Sequence, residues 1–205
     1  MNKKISGLGV VGGGKYETVF IAGMGTALQN IEAEKLIVEG MFKGKGVYHT
    51  SEIQIEGIAK ISDSDFADHL TVSGKAKITA NRDTHSTMVC QGSIKAGTMK
   101  LGRLHLTGTC HLDMLRASEV HIVESKNDRR LREQISRVDQ IVCQKLIAYN
   151  LKAEGIRARE VQLYGKCEVG TLICELLSKC EPTCIIGKHI RKNPFADSKE
   201  RGEAQ

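Results

Sequence analysis

The sequence predicts an all-β protein, a right-handed parallel β-helix whose coils are about 17 residues long. Two observations lead to this fold. Glycine recurs at a constant step, with one step doubled, at positions 23, 40, 57, 74 and 108. A short segment with aliphatic residues at every second position precedes each glycine, as in Leu36–Val38 and Ile53–Ile55. This period of two is typical of strands with one buried face, and such short units bury a core only when they stack.

Each repeat contains three short strands separated by corners. After the glycine, small and aliphatic residues alternate again, as in Ala59–Ile61, and a weaker third segment carries Ile31 and Ala33. We expect each glycine to mark a corner because glycine tolerates positive φ. Left-handed β-helices show six-residue units, and no sixfold sub-repeat runs through residues 19–124. The spacing therefore favours right-handed coils.

The β-helix is expected to span residues 17–190. The preceding segment, residues 1–16, is basic and rich in glycine, which predicts a flexible head rather than a hydrophobic signal segment. The final segment, residues 191–205, is polar and contains Pro194, which predicts a disordered tail.

An insert at residues 126–140 interrupts the coils. Asn127 and Asp128 are candidate N-caps, and apolar residues follow at helical spacing. We therefore expect a loop or a short helix that projects from one corner. The helical spacing is that of Leu131, Ile135 and Val138.

Composition and charge exclude several function classes. Hydrophobic residues make up 40% of the chain, but aromatic residues only 4%, so the core is aliphatic and a base-stacking nucleic-acid platform is not expected. No apolar stretch approaches the roughly 20 residues that span a bilayer. The net charge of +6 is concentrated in residues 1–16, 126–137 and 188–205. These segments are either solvated flanks or contacts for an anionic lipid surface or another acidic partner.

The seven cysteines do not form a recognisable metal or disulfide pattern. An odd number without a signal segment indicates reduced thiols and a cytoplasmic location. Cys174, Cys180 and Cys184 are close in sequence, but no Cys-x-x-Cys pair exists. We expect no metal site, because coils of a β-helix readily bury cysteine as a small apolar residue.

Other polar clusters are also expected to be structural. His105 and His121, separated by nearly the glycine step, would stack on neighbouring coils in one outward column. The acids Asp63, Asp65 and Asp68 lack the ligand spacing of a calcium loop. Gly7–Gly12 has the letters of a dinucleotide fingerprint but not the strand and helix that give it a mechanism. We therefore predict no catalytic, cofactor-binding or metal-binding residues and no enzymatic activity.

The ends of the β-helix are the predicted functional surfaces. Terminal coils present unpaired backbone groups and a cross-section of the core, which monomeric β-helices cover with a cap. The sequence predicts no cap at either end, so end-to-end stacking would give an open filament. The residues expected at the polymer interface are Val19, Phe20, Ile21, Ile185, Ile186 and Ile190.

Several motifs resemble those of one family. They are Ile5-Ser-Gly-Leu-Gly9, Gly13-Gly-Lys-Tyr16, the Val19–Gly25 segment and the coil from Ile55 to Ile61. Together they resemble the bactofilins, polymer-forming cytoskeletal proteins of bacteria, and the glycine-rich head is similar to the Gram-positive type. The resemblance covers roughly residues 5–190. The basic insert and the number of cysteines depart from it.

The resemblance implies a non-enzymatic scaffold that forms filaments without nucleotide or cofactor and organises cell shape or envelope processes. It implies other copies of the chain as partners, with the inner face of the membrane or envelope-associated proteins as further candidates, and no nucleic acid. Two alternatives stay open. One is a monomeric adaptor that docks an acidic partner on the β-helix wall and the insert. The other is a left-handed β-helix acyltransferase with a histidine base, which would need hexapeptide coils and a trimer.

Overall fold

The structure is a computed structural model that describes residues 1–48, 50–64, 66–81, 87–124 and 134–195. Over these ranges the chain forms a solenoid of about 10 turns of ~17 residues, in which every paired strand is parallel and no helix occurs. The predicted all-β parallel β-helix is confirmed, and the right-handed sense of the coils stays a prediction. None of the described ranges contains a helix of the length and apolar character needed to cross a bilayer.

The described residues form eighteen strands. In chain order they are β1 (Asn2–Ile5), β2 (Leu8–Val11), β3 (Gly14–Ile21), β4 (Met24–Ala27), β5 (Ile31–Val38), β6 (Met41–Lys45), β7 (Val47–Tyr48), β8 (Thr50–Ile55), β9 (Ile58–Ser64), β10 (Phe66–Val72), β11 (Lys75–Asn81), β12 (Thr87–Cys90), β13 (Ser93–Leu106), β14 (Thr109–Ile122), β15 (Ser136–Tyr149), β16 (Leu151–Tyr164), β17 (Glu168–Cys180) and β18 (Ile185–Arg191).

Side chains at alternate positions fill the interior. Each inward residue lies in register with the inward residue of the next coil, so Val38 pairs with Ile55 and Ile55 with Val72. These residues are buried and belong to one continuous aliphatic core that runs from Ile5 to Cys174. The stacking of coils, rather than contacts within a coil, therefore buries the apolar surface.

The corner glycines are required for close approach and not for positive φ. None of the glycines at 23, 40, 57, 74, 92 and 108 has a positive φ. Instead, a Cβ at Gly57 would collide with the carbonyl oxygen of Gly40, and the same clash recurs at the other five. That carbonyl accepts a hydrogen bond from the Ile58 N–H at 2.8 Å, which holds the two corners together. The expectation of positive φ at these glycines was wrong.

The solenoid begins at Asn2 rather than at residue 17. Residues 2–11 of the expected head form β1 and β2, which pair with β3 and β4. The inward residues Ile5 and Val11 are buried. The glycine-rich composition hid this coil because Gly9, like its register partner Gly25, leaves empty an inward position that Phe42 and Ala59 fill in the later coils.

The expected insert is shorter than residues 126–140, and the tail has a described beginning. Strand β15 starts at Ser136, and Val138 is buried as an inward strand residue. Ser136 and Val138 follow strand alternation, so the helical spacing that included Val138 was misleading. Two segments lie outside the described residues. One is 125–133, which includes Asn127, Asp128 and Leu131, and the other is the part of the tail from 196 to 205.

Candidate functional site at the two ends of the solenoid

The first coil forms the N-terminal end. Strands β1 and β2 pair with β3 and β4, and no described strand pairs with their other edges. In a parallel ladder, alternate residues direct their N–H and C=O groups to opposite neighbours. The carbonyl oxygens of Met1 and Ile5 accept hydrogen bonds from the second coil, each at 2.9 Å. The backbone groups of Asn2 and Lys4 therefore face away from the solenoid, free to pair with another strand.

The predicted interface residues near the N-terminus lie one coil too deep. Val19 and Ile21 are fully buried in β3, beneath Lys3 and Ile5 of β1. Phe20 is half-buried, and the Lys4 ammonium lies 5.2 Å from the centre of its ring. The N-terminal end is formed by β1 and β2 instead, because the head forms a coil of its own.

The last coil forms the C-terminal end and is incomplete. Strand β18 covers the part of β17 from Glu168 to Cys174, whereas no described strand covers the remainder of β17. Ile185, Ile186 and Ile190 all lie on β18, as the sequence analysis placed them. Ile185 is 67% exposed, and Ile186 packs against the core. On the uncovered part of β17, Leu176 is 47% exposed.

Basic residues occupy inward positions at both ends. Lys3 is in register with buried Val19. At the other end, His189 and Arg191 follow buried Leu172 and Cys174 in the same way. Inward-pointing charges are one means by which sheet edges limit pairing. The two ends are therefore open but cationic.

The described tail follows the wall of the solenoid and does not cover the C-terminal end. Beyond β18, Phe195 lines a cavity of about 440 Å³ together with Leu101, Ala117 and Cys143. The Phe195 N–H donates to the Asn193 side-chain oxygen at 2.9 Å, which turns this segment. The edge of β18 is left accessible by residues 192–195.

The cysteines are free thiols, mostly inside the core. Burial raises the pKa of Cys110 and Cys143 to about 12, which makes these thiols poor nucleophiles. Cys180 is exposed and Cys184 is half-buried. Across the described part of the chain, no three His, Cys, Asp or Glu side chains are grouped so that they could hold a metal ion. The five buried thiols are Cys90, Cys110, Cys143, Cys167 and Cys174.

The predicted histidine column is confirmed. His105 and His121 are register partners with ring centres 6.3 Å apart. Burial lowers the pKa of His121, and among the described residues its Nε2 has no hydrogen-bond partner. Burial thus favours the neutral state of His121.

The other polar clusters show no assembled site. Asp68 is exposed, Asp65 lies outside the described residues, and so does the Asp63 side chain. The segment after Gly7 is strand β2, without the helix that a dinucleotide fingerprint requires.

One wall carries a column of basic residues that was not predicted from the sequence. Lys43, Lys60 and Lys77 recur at the glycine step and lie in register, and Lys95 continues the column one coil further. The signal was available in the sequence as lysine at the glycine period. The net charge of each segment of the chain does not reveal this column. The charge at each position of the repeat does.

Comparison of the chain with protein-family models, with curated proteins and with solved structures finds no match. Function is therefore inferred from the ends and walls of the solenoid themselves.

Proposed function

We propose that this protein is a non-enzymatic scaffold that assembles into filaments by pairing the end coils of neighbouring copies, without nucleotide. One observation supports this most directly. The outer edges of β1, β2 and β18 have no strand partner within the described residues. The motifs that resemble bactofilins point to the same function, and to a role in organising cell shape or the cell envelope.

The chemistry of an open edge favours continuation of the sheet. Between β13 and β14, twelve residue pairs stack in parallel register, and the aliphatic core continues through them. A second copy placed on an open end would extend the same backbone ladder across the contact. Since the two ends are different surfaces, a head-to-tail contact does not close and continues into a filament.

The charge of the ends determines the conditions for assembly. Lys3 and Lys4 lie at one end, and Lys188 and Arg191 at the other. These like charges repel when two ends meet, and salt screens that repulsion over about 8–10 Å at physiological ionic strength. We therefore expect filaments to lengthen as the salt concentration rises.

The test uses negative-stain electron microscopy and sedimentation of the purified chain across a range of salt concentrations. Lys4→Pro removes an outward N–H, and its ring blocks pairing at the edge without breaking a bond inside the solenoid. We expect this variant to remain unassembled where the wild-type protein forms filaments. Lys4→Ala is the matched control, because it removes the same charge and keeps the N–H.

Two results would contradict end-to-end assembly. One is a wild-type protein that stays at the mass of a single chain at every salt concentration. The other is a Lys4→Pro variant that forms filaments as long as those of Lys4→Ala. Circular dichroism of each variant shows whether the β-helix has formed.

A second candidate is a monomeric adaptor that binds an acidic partner on its wall. The basic residues at inward positions of both ends, Lys3, His189 and Arg191, favour it because they oppose stacking. Light scattering separates the two candidates, since the adaptor keeps a constant mass when salt is added and the scaffold does not.

A further inference from the structure

One wall of the solenoid carries a row of lysines along its axis. We call it the lysine wall and define it by β2, β4, β6, Ile58–Ser62 of β9, Lys75–Thr79 of β11 and Ser93–Ala96 of β13. Its central row is Lys43, Lys60, Lys77 and Lys95, each in register with the next and each exposed. Neighbouring coils are ~4.8 Å apart, so the four ammonium groups extend over roughly 14 Å.

The lysine wall contains no carboxylate. None of its segments has an aspartate or a glutamate, whereas Glu39 and Glu56 lie at the corner before it and Asp63 follows its β9 segment directly. Beyond Lys95 the row continues as His111, Arg137 and Lys152. That extension is neutralised in part, because the Lys152 ammonium lies 2.6 Å from a Glu168 carboxylate oxygen.

The neighbouring wall shows how this solenoid otherwise arranges charge. There the signs alternate from coil to coil, as in the ion pair of Lys35 with Glu52 at 2.8 Å. Arg103 and Glu119 form the same kind of pair at 2.9 Å. Opposite charges on adjacent strands stabilise a sheet and like charges destabilise it. The lysine row lowers stability where alternation would have raised it, which indicates that its charge serves binding.

A row of exposed apolar side chains runs beside the lysines on the same wall. Leu8, Met24, Met41 and Ile58 are register partners and are 80%, 44%, 46% and 52% exposed. Each of the last two is two positions before a lysine of the row, so both rows face outward from one sheet. Contiguous apolar surface of this kind marks an interaction site.

The combination identifies the chemistry of the partner. A nucleic acid would use the lysines but gains little from methionine and isoleucine, and the one described aromatic ring on this wall, Phe42, is buried. An anionic bilayer uses both rows, because apolar side chains enter the headgroup boundary while lysines contact lipid phosphates. We propose that the lysine wall docks flat on membranes that contain anionic lipids.

This proposal goes beyond filament formation and does not depend on it. The wall runs along the solenoid, whereas the end coils lie across it. The Lys4→Pro variant, whose end contact is blocked, should therefore still bind vesicles.

The test is flotation with vesicles of phosphatidylcholine, alone or with roughly 30% phosphatidylglycerol. We expect the wild-type protein to float with the anionic vesicles and to remain at the bottom with the neutral ones. Lys60→Glu/Lys77→Glu should raise the apparent Kd at least ~30-fold, from the contribution of each basic residue near an anionic surface. Arg116→Glu/Arg157→Glu is the control, because it makes the same charge change at exposed positions of another wall.

A second variant tests the apolar row. Met41→Ser/Ile58→Ser keeps every charge and should abolish the binding that persists in high salt, where the lysine contribution is screened. All variants should keep the circular dichroism of the wild-type β-helix, since the substituted side chains point outward.

Three results would overturn the proposal. Equal flotation with neutral vesicles would remove the role of charge. An equal loss of binding in the control would show that net charge, and not this wall, matters. Retardation of double-stranded DNA that depends on the same lysines, without any flotation, would identify a nucleic acid as the partner.

Discussion

The two halves of the solenoid have the same core but turn one corner of each coil by different chemistry. In the coils up to Gly108, a glycine stands above the glycine of the previous coil, and no side chain fits between them. In the coils from Ser136 onward, the comparable corners are Asn150 and Gly165, with φ of 52° and 64°. At this corner the first half thus omits a Cβ, and the second half adopts the left-handed conformation.

The length of a coil also varies along the chain. In the first half, Met41 pairs with Ile58, so the register step equals the spacing of the glycines. The step is shorter between β15 and β16, where Ser136 already pairs with Leu151, and it returns to the glycine spacing between β17 and β18. From β13 to β16 each coil is almost entirely one continuous strand, and inward residues recur every five positions, as at Leu151, Ile156 and Val161. A single repeat length therefore does not describe the whole chain.

The largest expected effect comes from breaking a corner of the first half. Gly57→Ala places a methyl group against the Gly40 backbone, which cannot move without displacing the coil. We expect a loss of about 3 kcal/mol in the free energy of unfolding, measured by urea denaturation. Gly97→Ala is the control, because its methyl group would meet only an Asp113 carboxylate oxygen at 3.6 Å. Equal losses in the two variants would contradict the close-approach explanation.

A smaller effect is expected from breaking a corner of the second half. Gly165→Ala imposes a Cβ on a left-handed residue, which costs about 1–2 kcal/mol. The groups that the new methyl would approach are the side chains of Asn150 and Tyr149, which can shift. Urea denaturation should place this variant between Gly97→Ala and Gly57→Ala. Gly165→Asn should recover part of the loss, as asparagine tolerates positive φ at Asn150.

The smallest effect concerns ion pairs between coils, which both halves share. Hydrogen bonding from Lys35 lowers the pKa of Glu52, and hydrogen bonding from Lys152 lowers that of Glu168. A glutamate whose pKa is lowered by folding stabilises the fold at pH values above the ordinary glutamate pKa. This contribution is lost as the pH falls through the lowered pKa. Glu52→Gln and Glu168→Gln should each make stability slightly less dependent on pH in the acid range.

Urea denaturation at pH 7 and at successively lower pH measures this dependence. The differences from wild type should be small and similar in the two halves, because neither pair is buried. A large difference confined to one half would mean that ion pairs, and not corners, distinguish the halves.

The fold was predictable from the sequence wherever the alternating pattern precedes a glycine. The alternation before each glycine located inward residues such as Ile21, Val38 and Ile55, and all three are buried. The first coil was missed because the glycines at 7, 9 and 12–14 leave only Ile5 and Val11 as inward apolar side chains. The start of β15 was missed because the strand alternation there covers only Ser136 and Val138. The helical spacing covers three residues, Leu131, Ile135 and Val138.

The end surfaces were predictable only in part. Ile185, Ile186 and Ile190 were placed on the last strand. Val19, Phe20 and Ile21 were assigned to the first coil, although a further coil covers them. Whether a coil is terminal depends on what pairs with its outer edge, and composition does not report that.

The sequence by itself determined that the chain stacks short strands into a solenoid with an aliphatic interior. Alternation and the glycine period are properties of each repeat, and they fix which side chains face inward. The tertiary structure decided the register, and with it which residues share a column. Opposite charges fell into one column and lysines into another, because neighbours across coils are set by the exact length of every turn.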